Sequence, residues 1–287
     1  MPLPAPEIKL RSLTLADIPL GMRLKELAHW NQLEKDWEFL IKSGEGGNFA
    51  ASYGGKDAGT LTTLFYPERF SWIGMVLVDP QFRGLGIGQA LLTAAIKQAE
   101  NKGTIRLDAT PQGRQLYEKL GFVAEREIIR MQRTNLSPIP LPLLKPEPVT
   151  PSVLNRLALL DAPVFGADRQ AILNYLSLNA PEYAWYTKKS QEITGYCLGR
   201  HGHYFEQLGP IVAQNPEDAH SLLLAALGTA PGKSFILDTG THNKTWLAIL
   251  EKLGFTPQRT FLRMYRGQLL YPGNPDFQYA IAGPELG

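Results

Sequence analysis

The residues best suited to chemistry lie in DPQFRGLGIGQ, residues 79–89, where glycines alternate at 84, 86 and 88. Glycine reaches backbone conformations closed to other residues, so alternating glycines turn successive N–H groups toward one point. Upstream stands WIGMVLV, a continuous apolar run of the kind a buried strand carries. Downstream, GQALLTAAIKQAENKG has apolar residues at 91, 92, 95, 96 and 99, a helical stripe that Gly103 stops. The helix start adds free N–H groups and a positive dipole end, and the sum is a site for a phosphate or diphosphate. Arg83 adds a fixed charge at its mouth. Letter count excludes the two commonest phosphate loops. A dinucleotide fingerprint counted from Gly84 or Gly86 needs glycine where Gln89 or Leu91 stands, and a P-loop fails at Gln89 as well.

The elements that position this loop follow from hydrophobic period. IKLRSLT (8–14) alternates as a strand, and Asp17 is placed to cap a helix. HWNQLEKDWEFLIKS reads as a second helix. NFAASYG and DAGTLTTLFY read as a hairpin around GGKD, IRLDA as a strand, RQLYEKLG as a short helix ended by Gly121, and FV through IIRM as the last strand. The order is β-α-α-β-β-β-α-β-α-β.

The chain then says much of this again. EKLGF occurs at 118–122 and 251–255, LDAT (107–110) matches LDTG (237–240), IRM (129–131) matches LRM (262–264), and GMVLV (74–78) matches GPIVA (209–213). The offsets stay between 130 and 135, as two copies of one fold with short insertions would give. SPIPLPLLKPEPVTP, 137–151, holds six prolines and reads as a stiff, extended connector between them. The expected layout is therefore a first domain at 1–136 and a second at 152–287.

V-x-P-x-x-R-G-x-G-x-G after an apolar strand and before an amphipathic helix resembles the acetyl-CoA-binding motif of the GNAT acetyltransferases, and LYEKLGF resembles that family's final helix and strand. The second half resembles a GNAT fold that has departed from the pattern. In place of the glycine loop it has QNPEDAHSLLL, where Glu217 and Asp218 suit a helix start and repel a diphosphate. The pairing, with the YAIAGPELG ending, is similar to the two-part YitH-like group. The resemblance implies an α/β (mixed α+β) chain of two tandem GNAT-like domains, each a mixed, mostly antiparallel sheet flanked by helices. One active site is expected, with the second domain serving the acceptor pocket or the structure.

The resemblance also implies direct transfer of an acetyl group from acetyl-CoA to an amine of a small molecule or peptide, with no metal. Backbone N–H groups near Leu77 and Val78 would meet the pantetheine and the thioester carbonyl. Arg83, Gly84, Gly86, Ile87 and Gly88 would hold the diphosphate, and Tyr117 would give a proton to the departing thiolate. Leu250 stands at that place in the second copy. The general base stays open: WIGMVLV has no ionisable side chain, Asp108 has a counterpart in Asp238 that points to folding, and His29, Asp36 and a water chain remain. Trp30 and Trp37 lie seven apart, so one helix face carries both. With Asn31 and Asp36 they read either as a wall of the acceptor pocket or as an ordinary helix with a core tryptophan. His201 and His203 lack a third ligand for a metal, Cys197 reads as a buried strand residue, and DTGTHNKTW (238–246) reads as a pocket edge. A non-catalytic CoA-binding or regulatory module, and a longer acyl donor, are the competing readings.

Bulk properties set the remaining bounds. Lys and Arg total 29 against 27 Asp and Glu, a balance too even for nucleic acid as main partner. A lone cysteine forms no intrachain disulfide and suits a reducing compartment. The first residues lack the apolar core of a signal peptide, and no apolar run approaches the roughly 20 residues of a membrane span, so the expectation is a soluble, cytoplasmic protein.

Overall fold

The computed structural model describes residues 7–44, 46–134 and 138–287. The first half runs β1 (Ile8–Ser12), α1 (Ile18–Leu27), α2 (Glu34–Ser43), β2 (Phe49–Tyr53), β3 (Lys56–Tyr66), β4 (Phe70–Val78), α3 (Ile87–Ala99), β5 (Thr104–Ala109), α4 (Arg114–Lys119) and β6 (Val123–Arg133). The second repeats the order as β7 (Glu147–Pro148), α5 (Pro151–Phe165), α6 (Gln170–Asn179), β8 (Trp185–Lys189), β9 (Glu192–Arg200), β10 (Glu206–Ala213), α7 (Pro216–Gly228), β11 (Phe235–Gly240), α8 (Lys244–Lys252) and β12 (Thr256–Arg266). One further strand, β13 (Gln278–Ala280), follows. Each half is a mixed, mostly antiparallel sheet flanked by helices; β4–β5 and β10–β11 are the parallel pairs among the described strands.

Two local readings need correction. Asp17 does not cap α1 with its side chain; its carboxylate takes the Thr14 N–H at 2.8 Å and the Arg11 guanidinium. The second helix begins at Glu34, not His29. His29 adopts a positive φ of 53°, and Leu33 is extended with its N–H donated to Asp36 Oδ2 at 2.7 Å. Trp30 therefore lies outside the helix that carries Trp37, and the two do not share a face. Trp37 is fully buried, packed on Gly21, where an added Cβ would fall 2.6 Å from the indole.

Ser137, first residue of the expected connector, lies outside the described residues. From Pro138 to Pro146 there is neither helix nor strand, and Leu144 donates its N–H to Ser221 Oγ on α7. β7 then pairs with β8 at the sheet edge, where a proline's missing N–H is tolerated, and Pro151 opens α5.

The two halves share one sheet, ordered β1-β2-β3-β4-β5-β12-β6-β11-β10-β9-β8-β7. The last strands are exchanged: β12 of the second half pairs with β5 of the first, β6 of the first pairs with β11 of the second, and β12 and β6 pair with each other. The side chains follow the exchange. Met264 of β12 is buried in the core under α3 and Met131 of β6 in the core under α7, each burial contributing roughly 1.5–3 kcal/mol. On the opposite face, helices α1, α2, α5 and α6 pack into one core that joins Trp37, Trp72 and Leu40 to Leu157, Phe165 and Leu173.

The exchange explains two of the repeated motifs. Asp108 accepts from Arg263 Nε and Nη2 at 2.8 and 2.9 Å, and Asp238 accepts from Arg130 Nε and Nη2 at 2.7 and 2.8 Å. Each LD aspartate is thus gripped by the RM arginine of the other half, with all four side chains buried.

Candidate active site

β4 and β5 are partners only at Phe70↔Thr104, Ser71↔Ile105 and Trp72↔Arg106. Beyond Trp72 they part, so residues 73–78 of β4 have no partner strand on that edge among the described residues. A bulge drives the parting: Met75 takes a φ of 48°, the β3–β4 register shifts beside it, and Thr60 Oγ1 donates to the displaced Met75 carbonyl at 3.1 Å. Asp79 N–H donates to Ala58 O on β3 at 2.9 Å. Amides alternate sides along a strand, so the N–H of Val78 faces the open edge while that of Leu77 faces β3. The backbone donor expected at Leu77 is thereby used within the sheet, and Val78 is the free one.

The glycine loop closes one end of the opening. Asp79 accepts from Gln81 N–H at 3.0 Å and ion-pairs with Arg23. Burial alone would raise the Asp79 carboxyl, but Arg23 and the Gln81 amide outweigh it and hold it below the usual range. Gly84 and Gly86 have φ of 79° and 85°, the left-handed region that favours glycine; Gly88 does not need it. Gly86 is the N-cap of α3, and its carbonyl takes the first helical bond from Ala90. Among the described residues, no backbone acceptor meets the N–H groups of residues 84–89. Ile87 is buried in the core, so only its backbone faces the loop. Arg83 lines the cleft beside these amides.

The cleft has a volume of about 900 Å³ and runs from Arg83, Gly84, Gly86, Ile87 and Gly88 along Val76, Leu77 and Val78 to Tyr117. These donors fit the diphosphate and pantetheine of a coenzyme A group: unpartnered amides at one end, an unpartnered strand edge along the side. Past Tyr117 lies a narrow cavity of about 60 Å³, room for roughly four waters. Trp30, Val76, Thr110, Tyr117 and Arg259 border both spaces. Tyr117 sits over Gly113, where any Cβ would lie 2.7 Å from its ring, and burial pushes its hydroxyl up to about 12.

Of the remaining sequence candidates, Trp30 and Asn31 line the narrow cavity. Asn31 also joins the halves, giving Nδ2–H to Phe205 O and accepting from the Tyr204 and Phe205 amides. Asp36 does not face the acceptor side. It lies behind the cavity wall, fully engaged by the Leu33 amide, Tyr175 Oη at 2.8 Å and Arg200 Nη1 at 3.0 Å. His29 is exposed at the cleft mouth. Asp108 reaches the cavity wall with both oxygens held by Arg263. His201 bonds Glu206 and faces Glu182, while His203 faces Glu26, so the two imidazoles do not converge. Cys197 is buried and its thiol pushed up by that burial. In DTGTHNKTW, Asn243 caps α8 by accepting from Trp246 N–H at 2.9 Å.

Sequence reasoning missed the far wall of the cavity, which the second half supplies together with Arg130 of β6. Arg130, Arg259 and Phe261 come from the exchanged strands, Pro284 and Glu285 from the segment after β13. Glu285 is buried and pairs with Arg200; burial works to raise its carboxyl, and Arg200 and Gln32 Nε2 more than reverse this. Trp72 Nε1–H donates to Pro284 O, and Tyr66 Oη to Leu286 O.

The matching opening in the second half is filled by its own chain. β10 and β11 pair only at Glu206↔Phe235 and Gln207↔Ile236 before parting. β13 then occupies the gap, pairing with β10 at Ile211↔Ala280 and Val212↔Gln278, and Ile281 donates its N–H to Asp238 O on β11. At the helix start, Asn215 accepts from Asp218 N–H at 2.9 Å, Pro216 has no N–H to give, and Asp218 is buried against Thr194. Asn215, rather than the two carboxylates, is the cap. Leu250 is buried in the core where Tyr117 stands in the first half.

Comparison with known proteins agrees with the two-copy architecture. The Acetyltransferase (GNAT) family model matches residues 16–122, and the Acetyltransferase (GNAT) domain model matches residues 157–280. The chain is 24% identical over 259 residues to Holothin acyltransferase of Pseudoalteromonas sp. (strain SANK 73390), covering 90% of this chain and 87% of that one. It is 25% identical over 236 residues to Uncharacterized N-acetyltransferase YitH of Bacillus subtilis (strain 168), covering 82% and 83%. A solved Pyrococcus horikoshii structure, assigned as an acetyltransferase, superposes with a TM-score of 0.80 at 22% identity over 98% of this chain and 96% of that one, a likeness of fold. No helix among the described residues is long and apolar enough to cross a membrane.

Proposed function

The chain is a transferase enzyme of the GNAT acetyltransferase family, two such domains in tandem, and on that premise we propose that its first half moves an acetyl group from acetyl-CoA directly to an amine of a small molecule or peptide. The observation that carries this reading is the open edge of β4 running from an unsatisfied glycine-loop nest to Tyr117. When bound, acetyl-CoA supplies the acyl group as a reactive thioester. The amides of residues 84–89 and the Arg83 guanidinium hold the diphosphate, charge against charge. The Val78 N–H and the free edge of β4 hold the pantetheine in strand fashion and aim donors at the thioester carbonyl, where charge develops. The amine enters from the narrow cavity and attacks across the border that Tyr117 and Trp30 share.

Tyr117 acts as proton donor to the departing sulfur. Its raised hydroxyl keeps the proton at neutral pH, gives it to the thiolate as the C–S bond breaks, and takes one back from water in the cleft. The acidic side chains of the cavity wall, Asp108 and Glu285, are both held by arginines, so the proton of the attacking amine leaves through water toward the open mouth near His29. The test is a panel of amines with acetyl-CoA, read by thiol release and by mass of the product. Acetylated product from any amine supports the reading; tight CoA binding with no product from any of them would make the protein a binding module instead.

A further inference from the structure

Of the four charged side chains on the narrow cavity's wall, Asp108, Arg130 and Glu285 each have a partner of opposite charge, and Arg259 has none among the described residues. Its hydrogen bond is a long one, 3.4 Å from Nε to the neighbouring Gln258. It sits directly opposite Arg130 in the β12–β6 register, and both guanidiniums flank the Phe261 ring at 6.0 and 5.3 Å. Burial, then the charge of Arg130, pull the Arg259 guanidinium below its usual value, against a weaker opposite pull from Asp238, which Arg130 holds. Like charges facing each other across strands destabilise a sheet, so this pair works against folding.

The second half shows what such an arginine meets when its opening is filled. Arg126 holds the place in β6 that Arg259 holds in β12, 133 residues earlier, and it faces Arg263 as Arg259 faces Arg130. Arg126 donates to Gln278 Oε1 of the inserted β13 at 3.0 Å and has Glu125 at 3.4 Å. Arg259 has Gln258 where Arg126 has Glu125, and no strand among the described residues lies in its opening. It stands where three spaces meet: the cleft, the narrow cavity, and a side opening lined by His29, Tyr204 and Gln258.

We propose that Arg259, seconded by Nη1 of Arg130, which has no hydrogen-bond partner among the described residues, binds an anionic group, carboxylate or phosphate, carried by the acceptor amine. This rests on the reading of the first half as the transferase and names its acceptor class: amines with an acid close by. Arg259 lies at the Tyr117 end of the cleft with Trp30 and Thr110, so it selects the acceptor rather than holding the coenzyme.

The experiment is calorimetric titration of CoA-loaded protein with matched pairs: each common L-amino acid beside its carboxamide, and phosphoethanolamine beside ethanolamine. In one of the two sets the acid member should bind roughly tenfold or more tightly than the twin that lacks the acid, the range of a charge-assisted hydrogen bond. Which set shows it separates carboxylate from phosphate. Arg259→Gln should erase the difference, Arg259→Lys should keep part of it, and neither should change CoA affinity. The apo melting temperature of Arg259→Gln should equal or exceed that of the unaltered chain, because a repulsion is removed. Twins without the acid binding as well as acids, no binding by either, or a large fall in melting temperature would each overturn the proposal. Loss of CoA binding by the unaltered chain would instead sink the transferase reading beneath it.

Discussion

The opening between β4 and β5 and the opening between β10 and β11 begin alike and end differently. Both follow a short parallel pairing that stops after two or three residues, and both lie beside a helix start and a crossed aspartate–arginine clamp. In the first, among the described residues, the strand edge and the helix amides have no backbone partner, and Arg259 has no ion-pair partner and only a long bond to Gln258. In the second, β13 takes the strand edge, Asn215 caps the helix and Gln278 answers the arginine. The difference shows how a duplicated fold divides its work. Buried polar groups must be paired, and in the second opening the chain itself supplies the partners. The same segment then runs on to wall the narrow cavity beside Tyr117 with Pro284 and Glu285.

Alterations of the two helix starts should separate the copies most widely. Arg83→Glu should raise the CoA dissociation constant by about 100-fold or more, as reversal of a charge contact does. Glu217→Arg, at the exposed start of α7, should leave both that constant and a stoichiometry of one unchanged. Calorimetric titration reads both, and equal effects would erase the distinction. Tyr117→Phe should lower turnover by roughly 10²–10⁴-fold with CoA affinity nearly unchanged. Because the acid form is the working one and its pKa is raised to about 12, the fraction of turnover lost in Tyr117→Phe should stay level from neutral pH to pH 10. Turnover like the unaltered enzyme's across that range would remove the proton donor.

The crossed clamps probe what the copies share. Asp108→Asn and Asp238→Asn each leave a buried arginine without its carboxylate, and each should destabilise by about 3 kcal/mol. At this chain length that is roughly 6–12 °C in melting temperature. A loss of turnover in Asp108→Asn with no thermal change would restore Asp108 as a candidate base. The smallest effect is expected at Gly84→Ala. Nothing lies within 4 Å of the added Cβ, so only the left-handed strain of about 1–2 kcal/mol acts, seen as a several-fold weaker hold on CoA.

Much of this division was legible in the residues. Periodicity and glycine placement located the loop, the strand before it and the helix after it, because each of these depends on local spacing, whereas Tyr117 was singled out by the resemblance of LYEKLGF to the GNAT pattern. The repeat was legible as well, and the LD and RM motifs marked Asp108, Arg130, Asp238 and Arg263. That each aspartate would close on the opposite half's arginine was not legible, since strand exchange leaves every local pattern intact. Arg259, Glu285 and β13 escaped for a related reason: their partners are far away in the chain. The stretch 29–33 misled because its apolar spacing suits a helix, while contacts of Asn31 with Tyr204 and Phe205 hold it open.

The most direct test of the whole account is the structure of the protein soaked with CoA. The account predicts one coenzyme per chain, with its diphosphate against residues 83–88, its pantetheine along β4, and β13 undisturbed between β10 and β11. A coenzyme that displaces residues 278–281 from the second opening, or one that binds to neither, would contradict it.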